Sequence, residues 1–223
     1  MLTVKEMLEA GVHFGHQVKR WNPKMKPYIF GTRNGMHIID VIKTRILLQK
    51  ICDFLQENVN KETQILFVGT KIQAASVIEE MAIKSSSYYV NQRWLGGMLT
   101  NWKTIKTCIQ RLKEIESLEE NNFLNNYSKK DIAKLRKRKE KLQRYFGGMK
   151  TMERLPDLVI LVGQPKELNA IRECQKLNIK TITILDTNCD PSLTNLFIPA
   201  NDDSIKSIRL ILNELSTAIA TNR

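Results

Sequence analysis

Hydrophobic residues are arranged along this chain in two alternating patterns, short continuous runs and spacings of three or four residues. The continuous runs predict strands at 28–30, 36–39, 64–70, 88–90, 156–163, 180–186 and 197–199. The spaced residues predict helices at 3–10, 41–59, 71–84, 101–118, 128–146, 166–177 and 203–220. Apolar strands that alternate with helices are typical of a parallel sheet covered on both faces. The predicted fold class is therefore α/β, a parallel-sheet three-layer sandwich of the flavodoxin or Rossmann type.

A long insertion separates the predicted strands at 88–90 and 156–163. Its first half carries a narrow apolar stripe made of Ile105, Ile109, Leu112, Ile115 and Leu118. After a break at 121–127, its second half carries another made of Ile132, Leu135, Leu142 and Tyr145 or Phe146. Two such stripes predict a coiled-coil helical hairpin that protrudes from the body. We expect an α/β globular domain at 1–100 and 148–223, with the hairpin inserted at 101–147.

Composition adds a charge imbalance that is confined to two segments. The chain has 35 Lys and Arg against 23 Asp and Glu, a formal net charge of +12. Residues 10–45 hold seven basic residues and one acid, residues 129–144 hold nine and two, and the rest holds 19 and 20. One charged run alone is typical of a solvated helix face. Two cationic patches on a balanced body favour a polyanionic partner, because clustered cations release counterions from phosphates.

The segment 13–28 mixes aromatic, basic and amide side chains in a predicted loop with two prolines. That mixture is typical of RNA binding, since cations and amides meet phosphates and 2′-hydroxyls while rings stack on unpaired bases. Beyond it, Asn34 and Gly35 predict a hairpin turn with Arg33 at its tip. The predicted RNA-binding residues of this region are His13, His16, Lys19, Arg20, Trp21, Asn22, Lys24, Lys26 and Arg33.

The segment 90–102 joins the predicted sheet to the hairpin. Glycine pairs at 96–97 and 147–148 bracket the hairpin and permit sharp turns or close approaches, with Met98 and Met149 expected to pack beneath them. Trp94 has two interpretations, contact with RNA or insertion into the core under the hairpin. The predicted RNA-binding residues here and on the second cationic segment are Gln92, Arg93, Trp94, Lys129, Lys130, Arg136, Lys137, Arg138, Lys141 and Arg144.

Metal and cofactor chemistry has weak support in the sequence. His13 and His16 could ligate a metal together with Asp186 or Asp190, but without an HExxH frame or a nearby cysteine, ordinary hydrogen-bonding or stacking roles are favoured. The cysteines, at 52, 108, 174 and 189, are too widely spaced for a zinc pattern and are expected as buried thiols in a reducing compartment. We therefore predict no metal and no cofactor.

An α/β sheet also raises a competing hypothesis, an α/β nucleotide-binding enzyme or regulator. The glycine turns after the strands at 64–70 and 156–163 complete neither GxGxxG nor GxxxxGK[ST], and Pro165 removes a backbone donor. There is no GxSxG motif, and Asp186 with Asp190 is the best acidic pair. Fold-level analogy is the remaining support for catalysis, so no catalytic residue is predicted. The chain has no run of eighteen apolar residues, so no membrane span is expected, and its first residues resemble neither a secretory signal nor a transit peptide.

Several long motifs nevertheless resemble one known family. They are LEAGVHFGH at 8–16, WNPKM at 21–25, NQRWLGGMLTN at 91–101, LPD at 155–157 and ILDTNCDP at 184–191. In this order they resemble the second protein of the small ribosomal subunit, in its bacterial and organellar form. The chain departs from the family pattern at Ile72, at 152–154 and at 192–196.

The resemblance implies a function and a location. It implies an α/β sandwich with a protruding coiled-coil hairpin, no known catalysis, and a structural role that bridges head and body rRNA on the solvent side of the subunit. The implied partners are small-subunit rRNA and neighbouring ribosomal proteins, with the chain a monomer within the ribosome. In bacteria the family also helps to recruit the largest small-subunit protein. The many Lys, Asn and Ile residues would suit an AT-rich organelle genome, so we expect a plastid stroma, with the bacterial cytoplasm as the alternative.

Overall fold

A computed structural model describes residues 2–121 and 128–221 of the chain. The helices are α1 (Val4–Glu9), α2 (Val41–Asn58), α3 (Ile72–Lys84), α4 (Trp102–Glu120), α5 (Lys129–Phe146), α6 (Leu168–Lys176) and α7 (Ile205–Ala220). The strands are β1 (Phe14–Gln17), β2 (Ile29–Arg33), β3 (Met36–Ile39), β4 (Ile65–Val68), β5 (Tyr88–Val90), β6 (Leu158–Val162), β7 (Lys180–Leu185) and β8 (Leu196–Pro199). Among these residues no helix is both long and apolar enough to cross a membrane.

The central sheet has five parallel strands in the order β5-β4-β6-β7-β8. Alternate residues of its buried strands enter two different hydrophobic clusters. Ile65 and Phe67 pack in a cluster with residues of α1, α2, α3 and α7, whereas Leu66 and Val68 pack in a cluster with residues of α4, α5 and α6. Both faces of the sheet are therefore covered, which explains why the strands are continuous apolar runs. The predicted α/β three-layer fold class is confirmed.

A small antiparallel sheet, in the order β1-β3-β2, lies outside the parallel one. The predicted hairpin is confirmed, and its turn has positive φ at both Asn34 (51°) and Gly35 (76°), which is the type I′ geometry. The prediction of a loop over 13–28 is wrong in part, because Phe14–Gln17 forms a strand against β3 and two 3-10 turns follow at Val18–Arg20 and Pro23–Tyr28. The sequence does not predict this strand, because its side chains do not alternate regularly between buried and exposed positions.

The helices α4 and α5 pack against each other, and α4 buries Ile105, Ile109, Leu112 and Ile115 of its predicted stripe, whereas Leu118 is half-buried. Ile105, Ile109 and Phe146 also belong to the cluster on the α6 face of the sheet, so the first turns of α4 and the end of α5 are rooted in the body. Asn121 caps the end of α4, and the rest of the predicted break at 121–127 lies outside the described residues. The hairpin limits of 101 and 147 remain a prediction.

The two glycine pairs meet different needs. Gly97 has a φ of +86°, and a Cβ on Gly148 would stand 2.3 Å from the carbonyl oxygen of Tyr89. Gly96 has neither constraint, and a Cβ on Gly147 would meet only the flexible Gln143 side chain, 2.9 Å from its Nε2, so one glycine at each end of the insertion is required for the reason predicted. Met98 and Met149 are fully buried, as predicted.

The cysteines are free, as expected. Cys52, Cys174 and Cys189 are buried and Cys108 is half-buried. Burial raises the pKa of the Cys52 thiol to about 11 and that of Cys174 to about 12, so both stay protonated at neutral pH. They behave as small apolar groups of the core.

Candidate nucleic-acid interface

The first cationic segment is fixed to the edge of the parallel sheet by its backbone. Asn22 N donates to the carbonyl of Thr187 at 2.8 Å, and the Asn22 side chain caps the following 3-10 turn by accepting from Lys24 N at 3.0 Å. Pro23 at the start of that turn suits the fixed φ of the first helical position. The segment therefore presents Lys19, Arg20 and Lys26 to solvent from a defined backbone.

The charges in this first segment are partly neutralised. Lys24 Nζ lies 2.7 Å from Asp190 Oδ2 and 2.9 Å from Ser192 Oγ. The hydrogen bond from Lys24 holds the pKa of Asp190 below its usual value. Lys24 remains 56% exposed, but part of its charge is already used within the chain. The side-chain carbonyl oxygen of Asn22 likewise already accepts the capping hydrogen bond. Lys24 and Asn22 are therefore weaker candidates for RNA contact than Lys19, Arg20 and Lys26.

The rings of His13, His16 and Trp21, which were predicted to contact RNA, are half-buried in the structure. His13 is half-buried with its ring centroid 4.0 Å from that of Phe14, and burial lowers its pKa. The Trp21 ring is half-buried 5.1 Å from the ring of His37. His16 Nδ1 lies 3.0 Å from Asp186 Oδ2, so His16 is bound within the chain instead of being free for RNA. The hydrogen bond that His16 donates to the Asp186 carboxylate raises the pKa of His16.

Arg33 lies at the exposed end of β2, next to the turn, as predicted. The surface beside it is apolar. A groove of about 690 Å³ is lined in part by Phe14, Phe30 and Met36, and Phe30 is 80% exposed. Arg33 itself lines the groove, so a cationic side chain borders a wall that also includes aromatic and aliphatic side chains.

The joint between sheet and hairpin combines exposed and buried groups. Gln92 and Arg93 are exposed, and Gln92 Oε1 accepts from Arg144 Nε at 3.3 Å, which brings the joint to the end of α5. Trp94 is only 7% exposed and its Nε1 donates to Glu173 Oε1 at 3.0 Å. The expectation that Trp94 faces RNA is therefore wrong. Its alternative, insertion into the core under α4 and α5, is what the structure shows.

Glu173 on α6 is a residue that the sequence analysis missed. Besides Trp94, its carboxylate accepts backbone N–H bonds from Gly97 at 2.8 Å, Leu99 at 2.9 Å and Thr100 at 3.0 Å. Burial acts to raise its pKa, but these donors, led by Thr100, hold the pKa below its usual value. The carboxylate thus fixes the turn that leads into α4. The sequence around Glu173 contains no motif for this role, because the donors lie more than seventy positions away.

The helix α5 carries the second cationic surface. It begins at the cap Ser128, whose hydroxyl accepts from Asp131 N at 3.3 Å, as the capping pattern predicts. At about 100° per residue, six predicted contacts fall within an arc of about 140° opposite the apolar stripe. The six are Lys129, Lys130, Arg136, Lys137, Lys141 and Arg144, with Arg138 to one side.

These α5 cations are exposed, and none of the seven forms an ion pair within the described part of the chain. The helix's own ion pairs use other residues, since Lys134 lies 3.6 Å from Asp131 and Lys139 contacts Glu119. Without carboxylate partners among the described residues, the seven cations leave their charge available to an external polyanion, although Arg144 also donates to Gln92.

The turns where an α/β protein could bind a nucleotide are filled by internal bonds. The order of the parallel strands changes direction between β4 and β6, which is the usual ligand crevice. There, Thr70 N and Oγ1 donate to Glu167 Oε1 at 2.8 and 2.6 Å, and Lys166 Nζ donates to the Thr70 carbonyl at 2.8 Å. The Lys71 side chain passes over Gly163, within 2.9 Å of the position of a Cβ. The groups that would cradle a phosphate already have partners.

The fold and its two cationic surfaces define a basic α/β protein of the kind that binds nucleic acid. The sequence model of the family described as ribosomal protein S2 matches residues 7–222. The chain is 52% identical over its whole length to the small ribosomal subunit protein uS2 of Microcystis aeruginosa (strain NIES-843 / IAM M-2473), covering 84% of that protein. It is 53% identical over 97% of its length to uS2c of Mesostigma viride, covering 95% of that protein.

A second uS2c, from Oltmannsiellopsis viridis, is 53% identical over 98% of the chain and 92% of the relative. The chain therefore belongs to the ribosomal protein S2 family, structural proteins of the small ribosomal subunit. The resemblance found in the motifs is confirmed. The chain is accordingly a ribosome-bound structural protein and not an enzyme, and it lies in the subunit with rRNA and other proteins.

Proposed function

We propose that the chain binds small-subunit rRNA through two cationic surfaces and, by doing so, bridges the head and body of the subunit. The first surface consists of Lys19, Arg20, Lys26 and Arg33, and the second of the seven exposed cations of α5 together with Arg93, whose neighbour Gln92 contacts Arg144. The observation that carries the proposal is the arc of cations on α5, because none of them forms an ion pair among the described residues. The hairpin limits of 101 and 147 are part of this proposal, with α5 as its RNA-facing helix.

The salt dependence of rRNA binding tests the electrostatic part. If about six phosphates are neutralised, the logarithm of affinity should fall with the logarithm of salt concentration with a slope of about −5. Affinity for a small-subunit rRNA transcript, measured by filter binding at several salt concentrations, gives that slope. An association that is insensitive to salt would contradict the proposal.

A triple charge reversal tests the role of α5. Arg136→Glu, Lys137→Glu and Arg138→Glu together should weaken incorporation into small subunits while leaving the isolated fold intact, because all three side chains are exposed. The matched control is Lys50→Glu, Lys103→Glu and Lys113→Glu, which changes the charge equally at exposed positions outside the arc. Sedimentation of reconstituted subunits measures incorporation. Equal loss in both variants would indicate general repulsion, and undiminished incorporation of the first would remove α5 from the interface.

The bridging role requires that the two surfaces contact different rRNA regions. Cleavage by hydroxyl radicals from iron tethered at position 19 or 137 of the reconstituted subunit should then map to separate regions, one in the head and one in the body. Overlapping cleavage from both positions would contradict bridging.

For neighbouring ribosomal proteins, the groove beside Arg33 is the best contact surface. Its apolar lining and the exposure of Phe30 suit an apolar segment of another subunit protein, with the chain itself remaining a monomer. Phe30→Glu should then weaken the binding of a neighbouring protein without changing the salt slope for rRNA.

The expected compartment is the plastid stroma. The uS2c relatives and the abundance of Lys, Asn and Ile support it, while the equally similar bacterial relatives keep the bacterial cytoplasm as the alternative. Immunodetection of the chain in ribosomes from purified plastids would test this assignment.

A further inference from the structure

A small cavity lies where the carboxyl end of β5 meets the last turn of α5. It has a volume of about 190 Å³ and is lined mainly by polar side chains. Glu79 comes from α3, Asn91 and Gln92 follow β5, and Gln143 and Arg144 come from α5. Pockets that hold a drug-sized ligand have volumes of about 300–1,000 Å³. The cavity therefore has room for part of a nucleotide, such as one planar base, and not for a whole cofactor.

The Glu79 carboxylate has acceptor capacity left over in this cavity. Its Oε1 accepts from the hydroxyl of Tyr89 at 2.8 Å, and its Oε2 accepts from Asn91 Nδ2 at 3.1 Å. Burial, and then the neighbouring Glu79, raise the pKa of Tyr89 to about 12, so its hydroxyl remains a donor at neutral pH. A carboxylate can accept about four hydrogen bonds, so each oxygen of Glu79 can take one more from a ligand.

The charges around the cavity favour a base inside it and a phosphate outside it. The Glu79 carboxylate would repel a phosphate, whereas guanine presents two neighbouring donors, N1–H and N2–H, that match the two oxygens of a carboxylate. Adenine and cytosine each present one exocyclic amine and uracil one imino group, so none of them matches both oxygens. Arg144, which is exposed, is placed to meet the phosphate of the same nucleotide.

A glycine on the wall of the cavity gives independent support. Gly147 has an ordinary helical φ of −54°, and its Cβ would meet only the flexible Gln143 side chain. The fold therefore does not require a glycine at 147, in contrast to Gly148, whose Cβ would stand 2.3 Å from the Tyr89 carbonyl oxygen. A glycine that lines a cavity permits close approach of a ligand to the backbone.

We propose that this cavity binds one unpaired guanine of the rRNA, with N1–H and N2–H donating to Glu79. The inference rests on the proposed function, since the α5 cations would bring the RNA strand to the end of the helix. The hydrogen bond of 3.3 Å between Gln92 Oε1 and Arg144 Nε joins the β5 side of the cavity to the α5 side. This contact would add base selectivity to a surface whose other predicted contacts are made with the RNA backbone.

Removal of one negative charge separates base recognition from general electrostatics, because the two predict opposite signs. Glu79→Gln by itself would favour RNA electrostatically, but it removes the carboxylate that the guanine donors require. We expect the affinity of the full-length chain for a small-subunit rRNA transcript to fall at least about fivefold in filter binding, with an unchanged salt slope. Glu80→Gln removes the same charge at the next residue, outside the cavity, and should leave the affinity unchanged or slightly higher.

Chemical modification of the transcript identifies the base. Kethoxal reacts with N1 and N2 of unpaired guanines, so the parent chain should protect a guanine that stays reactive with Glu79→Gln. Gly147→Leu fills the cavity and keeps the carboxylate, and it should lose the same protection. This second variant keeps the test decisive if Glu79→Gln fails to fold.

The outcomes distinguish this inference from the proposed function. Salt-insensitive binding would contradict the two cationic surfaces, whereas a normal salt slope without a guanine protected through Glu79 would overturn only the base pocket. Equal or tighter binding by Glu79→Gln would also overturn it. If Glu79→Gln bound the transcript normally but entered reconstituted subunits poorly, Glu79 would instead pair with a cationic side chain of a neighbouring protein, and the inference would be wrong.

Discussion

The two cationic segments, residues 10–45 and 129–144, have nearly the same net charge, +6 and +7, but are organised differently. The first segment is tied to the sheet along its length, through Asn22 and His16, and one of its lysines is paired with Asp190. Within the described residues, none of the seven predicted contacts on α5 forms an ion pair, and the helix is attached to the body mainly at its end, through Phe146. Segments of nearly equal charge can therefore differ in how many of their cations are free to contact RNA. Different contacts also position the cations in the two regions.

The largest effect on stability should come from the indole at the foot of the hairpin. Trp94→Ala removes a buried ring and the donor to Glu173, so we expect a loss of about 3–5 kcal/mol in the free energy of unfolding. Trp21→Ala in the first segment should cost less, because that ring is only half-buried. Urea denaturation measures both. Equal losses of unfolding free energy in the two variants would show that the joint below α4 and α5 does not depend more strongly on one buried ring than the first segment does.

Substitution of Glu173, whose carboxylate accepts the hydrogen bonds from Trp94 and from the turn before α4, should have the next largest effect on stability. Glu173→Gln should lower the free energy of unfolding by about 1.5–3 kcal/mol at pH 7, because the charged acceptor of four N–H groups is lost. The folded-state pKa of Glu173 lies below its unfolded value of about 4.3, so its stabilisation is present above that pH and disappears as pH falls through the folded value.

The difference in stability between Glu173→Gln and the parent chain should therefore shrink at the lowest pH where both remain folded. Glu153→Gln, at an exposed position, is the control and should show little change at either pH. A deficit that is the same at both pH values would show that the charge of Glu173 is not the cause.

A smaller effect is expected from the glycines that flank the hairpin. Gly148→Ala places a Cβ against the Tyr89 carbonyl and should destabilise the chain by about 1–3 kcal/mol. Gly96→Ala meets no atom within 4 Å and should be neutral or slightly stabilising. Thermal denaturation of the two variants compares them directly. A neutral Gly148→Ala would mean that the end of α5 can move away from β5 at little cost.

The smallest effect compares one lysine from each surface. Lys137→Gln should reduce the salt slope of rRNA binding by about 1, as expected for a lost phosphate contact. Lys24→Gln should reduce it by less, because Asp190 already neutralises part of its charge. Filter binding over a range of salt concentrations gives both slopes. Equal reductions would show that the pair with Asp190 opens when RNA binds.

Most of the architecture could be predicted because it depends on local patterns. The runs at 64–70 and 156–163 contain the buried strands β4 and β6, and Asn34 with Gly35 gives the turn that its backbone preferences require. The strand β1 could not be predicted in this way, because its order comes from pairing with β3 and from the Thr187 contacts.

The sequence by itself determined the α/β class, the apolar stripe of α4 and the place where positive charge accumulates, since periodicity and composition are properties of neighbouring residues. Only the tertiary structure decided which of these groups remain available. It buried Trp94 against Glu173, paired Lys24 with Asp190, and placed His16 between Asp186 and Asp203. These contacts join residues between 79 and 187 positions apart, so they depend on how the sheet and helices pack, which no local pattern encodes.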